Sequence, residues 1–122
     1  MNEIRVALYC LSLLIPQLAA AESSNSWLVG IWQKTIDEDN SADDVIKFNP
    51  DGTWVGYGPK CEEKLYKYFV HEGDVFLLIP IPKGPVSLVF RPNEQKTKLV
   101  FTSPRTMNNA SYEKVKKPLC GG

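Results

Sequence analysis

The segment Val45-Ile46-Lys47-Phe48-Asn49-Pro50-Asp51-Gly52-Thr53-Trp54-Val55-Gly56-Tyr57 reads as a β-hairpin. In its first arm Ile46 and Phe48 share one face. Asn49-Pro50-Asp51-Gly52 then forms a turn with a physical cause: proline presets φ early and glycine accepts a positive φ late. The β-forming run Thr53 to Tyr57 resumes at once, so the order is strand, turn, strand.

The same rhythm continues on both sides. Upstream, Trp27 to Ile36 is a β-rich run, followed by the polar connection Asp37 to Asp43. Downstream come Lys64 to His71, Val75 to Ile79, Val86 to Arg91, Lys98 to Thr102 and Ser111 to Val115. Gly58-Pro59, Glu72-Gly73-Asp74, Pro82 to Pro85 and Pro92 to Gln95 separate them. Tyr66, Tyr68 and Val70 fall on one face of their run. Turn-punctuated runs spaced by about 8–12 residues predict an all-β fold. Sequential hairpins favour a meander, hence an antiparallel up-and-down β-barrel of about eight short strands. Pro80 and Pro82 cannot donate to a ladder and mark an edge, bulge or rim.

The N-terminus reads differently. Arg5 precedes the apolar stretch Val6 to Ile15, then Pro16 and the small residues Ala19-Ala20-Ala21. A short basic region, a short apolar core and small residues before the cut match a secretory signal peptide over 1–21, cleaved near Ala21–Glu22. The stretch is too short to span a ~30 Å hydrocarbon core. Cys10 lies inside the apolar region after bulky Tyr9, which disfavours lipoprotein processing. The domain is therefore residues 22–122, secreted or periplasmic. Cys10 leaves with the signal, and Cys61 and Cys120 remain. An even pair in an exported chain predicts one disulfide. The loop it closes is worth roughly 4 kcal/mol in chain entropy.

Composition narrows the function. Lys plus Arg and Asp plus Glu each number 14, so the chain is formally neutral and lacks the general attraction to phosphate of nucleic-acid binders. The chain has a single histidine, His71, which disfavours multi-histidine metal sites and His-based acid–base chemistry. No nucleophile–base–orienter set or nucleophile elbow is visible, so the reading is not an enzyme and implies no cofactor. Asp37, Asp39 and Asp43 faintly echo a calcium loop but lack its mid-loop glycine and final glutamate, so no metal is assigned. Asn109-Ala110-Ser111 is a glycosylation sequon, relevant only in a eukaryotic secretory pathway.

Two patterns carry a family resemblance: Leu28-Val29-Gly30-Ile31-Trp32, and Phe48-Asn49-Pro50-Asp51-Gly52-Thr53-Trp54. Together they resemble the small lipocalin-like domains, with their G-x-W opening strand and F-x-x-D-G-T hairpin. The resemblance spans residues 28–54. It implies a barrel plugged at one end by Trp32, with a small apolar ligand held at the other. Tyr57, Tyr66 and Tyr68 are the ligand-binding candidates, because a tyrosine offers an apolar ring and a polar tip. Phe76, on the next strand, extends that surface. No later lipocalin motif is found, and large rings can fill a shallow barrel. The alternative is a monomeric interaction protein of the enzyme-inhibitor type, with a filled barrel and a protein partner in place of a small ligand.

Overall fold

Every run of β-forming residues becomes a strand, and the last strand pairs with the first. The computed structural model describes residues 25–121. A 3₁₀ turn at Ser26–Leu28 precedes β1 (Gly30–Asp37), β2 (Val45–Phe48), β3 (Thr53–Tyr57) and β4 (Glu63–His71). Then follow β5 (Asp74–Ile79), β6 (Val86–Pro92), β7 (Lys98–Thr102) and β8 (Asn109–Lys114). Neighbours pair antiparallel in chain order and β8 closes on β1, giving an up-and-down barrel. The proposed signal segment lies outside the described residues. Among the described residues no helix is long and apolar enough to cross a membrane.

The central hairpin forms as its turn chemistry dictates. Phe48 pairs with Trp54 and Val45 with Tyr57. Gly52 takes φ +89°, which a side chain would strain. The Asp51 carboxylate accepts the Thr53 N–H at 3.0 Å and helps hold the turn. Alternation along the strands then loads the interior. Phe48, Val75, Leu77, Phe90 and Leu99 are each 2 % exposed or less. Burial of this kind contributes about 1.5–3 kcal/mol per large apolar side chain.

One end is sealed. Trp32 is 1 % exposed, and its indole N–H donates to the Leu28 carbonyl at 2.8 Å. Trp27 packs edge-on against Trp32 at 6.3 Å, and the Lys114 ammonium lies 5.5 Å from the Trp32 ring centroid. Gly30 adopts φ +133°, and a Cβ there would meet the Lys114 stem at 3.4 Å. The first strand accordingly begins at Gly30, because the residues before it wind into the plug.

Two features depart from a plain barrel. In β1, Lys34 pairs with Tyr112 but Ile36 pairs with Ser111, so Thr35 is an extra residue and the strand carries a β-bulge. Beyond β8 the chain turns back along the outer wall. The Leu119 N–H donates to Gln33 Oε1 at 3.0 Å, and Cys120 forms the expected disulfide with Cys61 (Cα–Cα 5.5 Å). This tail covers Val45, Val55 and Tyr57, which form a small second core outside the barrel.

Candidate binding site at the barrel mouth

The end opposite Trp32 is bounded by the β1–β2, β3–β4, β5–β6 and β7–β8 connections. It holds a cavity of about 320 Å³. Ile46, Trp54, Leu77, Leu88, Phe90 and Phe101 form its apolar wall. These side chains come from β2, β3, β5, β6 and β7, so the hollow is the barrel's own interior rather than a surface groove. Gly56 leaves space where a Cβ would come within 3.0 Å of the Trp54 ring. The Trp54 indole N–H is buried without an acceptor, so that ring contributes apolar surface and no hydrogen bond.

The rim is polar. Asp44 and Tyr112 line the cavity together with Glu62 and Lys64. Asp44, Tyr57, Gly58, Phe101 and Tyr112 also line a second hollow of about 490 Å³, walled by residues of the β1–β2 and β7–β8 connections. Apolar pocket and polar vestibule thus adjoin, with Asp44 and Tyr112 at the junction.

Hydrogen bonds fix this junction. The Tyr112 hydroxyl donates to Asp44 Oδ2 at 2.7 Å. Burial and the adjoining carboxylate push the Tyr112 phenol far above its ordinary range. Burial also raises the Asp44 carboxyl, against the opposing pull of the Tyr112 hydrogen bond and the Lys34 charge. Lys34 donates to Asp37 at 3.0 Å and also reaches Ser41 and the Ala42 carbonyl. Hydrogen bonds from Ser41, then Lys34, then the Asp39 N–H hold Asp37 well below the usual carboxylate range. Asp39 accepts from Thr106 at 2.7 Å and Asn108 at 2.8 Å, tying the β1–β2 connection to the β7–β8 connection.

The four tyrosine and phenylalanine candidates are dispersed. Tyr66 and Tyr68 face the interior. Tyr66 lies 5.1 Å from Trp54, and Tyr68 donates to the Asn49 carbonyl at 2.9 Å, toward the plugged end. Tyr57 borders the cavity, but its ring packs on the outer wall beneath Cys120 and Gly121. Phe76 faces outward and stacks on Phe69 at 4.9 Å. Its neighbours Val75 and Leu77 take the inward positions, so strand alternation carries Phe76 away from the mouth. The sequence reading missed Asp44, Lys34 and Tyr112; the first two meet across the β1–β2 connection, and Tyr112 joins them only when the barrel closes.

His71 ends β4 at the plugged end, exposed beside Glu72 at 3.7 Å. Among the described residues no three His, Cys, Asp or Glu side chains group to hold a metal ion. The carboxylates of Asp37 and Asp39 are already engaged by the donors named above. Compared with protein-family models, curated proteins and solved structures, the chain shows no significant match to any.

Proposed function

We propose that the protein is an exported, monomeric, lipocalin-like carrier that holds a small apolar molecule in the barrel mouth and catalyses no reaction. The observation carrying this reading is the cavity of about 320 Å³, walled by inward apolar side chains and opening away from the Trp32 plug. Its volume lies at the small end of ligand pockets, which run to about 300–1,000 Å³, with mostly apolar walls and a few polar groups. The G-x-W and hairpin patterns point the same way, and so does a single disulfide in a chain with a signal-like N-terminus.

The test is titration of the folded protein with N-phenyl-1-naphthylamine, an uncharged apolar fluorophore. Saturable one-to-one binding is expected, and Leu88→Trp, which fills the cavity, should weaken it at least tenfold while the circular dichroism spectrum stays unchanged. Absence of saturable binding defeats the carrier reading. One observation favours the alternative interaction protein. Leu65 and Phe69 on the outer wall of β4 are 64 % and 47 % exposed, with Phe76 beside them. Exposed apolar surface of that kind marks contact sites.

A further inference from the structure

The geometry points to a ligand with a cationic head: a small alkyl or aryl amine, its apolar body in the barrel and its ammonium beside Asp44. This deepens the carrier reading and rests on it. Three observations carry it.

The first is position. Asp44 lines both the apolar pocket and the polar vestibule, so its carboxylate lies where the two hollows adjoin. The second is charge balance. The linings of the two hollows include Asp37, Asp39, Asp43, Asp44 and Glu62, against Lys34, Lys64 and Arg105. Five carboxylates against three cations leave an acidic mouth on a neutral chain. The third is which charges are free to act. Lys34 is turned into the β1–β2 connection and held by Asp37, Ser41 and the Ala42 carbonyl, so it is not available to an incoming anion. Lys64 and Glu62 line the same rim, which therefore carries one charge of each sign there. The Asp44 carboxylate takes a hydrogen bond from Tyr112 at Oδ2 and one from the Val45 N–H, and a carboxylate can accept about four.

Electrostatics supports the same direction. A half-buried carboxylate whose charged form is disfavoured by desolvation gains most from a cation brought close to it. Charge-assisted hydrogen bonds from an ammonium are shorter and stronger than neutral ones. An anionic head at the same place would face Asp44 unpaired, the arrangement that rejects a wrong ligand.

The experiment compares three probes of equal chain length, n-octylamine, n-octanol and n-octanoate, by isothermal titration at pH 7 on the full mature protein. Octylamine should bind at least tenfold more tightly than octanoate, about 1.4 kcal/mol, with octanol between them. Raising salt should narrow the gap between amine and carboxylate. Asp44→Asn, which keeps an acceptor for Tyr112, should abolish the preference for octylamine over octanol. Any other order among probes that bind overturns the inference and leaves the apolar carrier reading standing. If none of the three binds, the carrier reading falls and takes this inference with it. The wild-type ranking stands by itself even if the Asp44→Asn variant fails to fold.

Discussion

Replacing both Cys61 and Cys120 by alanine should lower stability by about 4 kcal/mol. The bond joins positions 59 apart in sequence, so its removal frees a loop covering much of the barrel in the unfolded chain. The loop-closure relation gives about 14 cal/mol/K for a loop of about 60 residues, or roughly 4 kcal/mol at 25 °C. The folded state also loses an anchor. Without the bond, the Leu119 N–H to Gln33 hydrogen bond is left to hold the tail over Val45, Val55 and Tyr57. Alanine is preferred to reduction because it leaves no thiols to reshuffle. Equilibrium urea unfolding followed by tryptophan fluorescence suits the test. With a slope of about 2 kcal/mol/M, the midpoint should fall by roughly 2 M. Amide exchange should speed up first at Leu119 and the substituted position after it, before the strands respond. A midpoint shift equivalent to less than about 1 kcal/mol would refute the reasoning. It would mean that the unfolded chain was compact enough to gain little from the release.

Asp44→Asn and Asp37→Asn should show opposite dependence on pH. The folded-state pKa of Asp44, which faces Tyr112 and Lys34, lies above its unfolded value, so the native state holds the proton longer and stability falls as pH rises through that window. Urea unfolding should therefore find Asp44→Asn gaining on wild type between about pH 3.5 and pH 7, and a greater loss at pH 7 would contradict this. Asp37, facing Lys34 and Ser41, has a lowered folded-state pKa, so its contribution is present above the unfolded value and lost in acid. Asp37→Asn should accordingly cost most at about pH 7 and least at about pH 2. Trp32→Phe should cost about 1–3 kcal/mol more than Trp54→Phe in thermal unfolding, because it orphans the buried Leu28 carbonyl whereas the Trp54 indole N–H has no partner to lose. Equal losses would show that the Trp32 hydrogen bond adds nothing.

The hairpin at Val45–Tyr57 was fully legible in the sequence, because Pro50 and Gly52 constrain backbone angles that no packing overrides. Cysteine pairing was legible from an even count and a signal-like N-terminus. Faces were harder to read. Tyr66 and Tyr68 alternate with Lys67 and read as one face, which the closed barrel turns inward, but Val75 to Ile79 is apolar without a break, so nothing local tells Phe76 from its neighbours. Tyr57 shows a different limit. On the outer wall it would be an ordinary exposed ring, and it is buried because a tail some sixty residues later folds back over it. The Tyr112–Asp44 bond spans 68 residues and exists only in the closed barrel.

The bulge at Thr35 links these points to the site. Strict alternation from Trp32 would send Lys34 and Ile36 inward and Asp37 outward. With Thr35 unpaired, Ile36 lies opposite Ser111 on the outer face, 56 % exposed, and Asp37 lies opposite Ala110 on the inner one. Two residues three apart thus share the mouth side of one strand, and the Lys34–Asp37 ion pair becomes possible. That pair turns the Lys34 ammonium toward Asp37, so Asp44 feels its charge without a hydrogen bond from it. The acidic character of the mouth therefore depends on one extra residue in a strand as much as on the number of acids beside it. A single exposed apolar side chain, Ile36, is the visible cost of that arrangement.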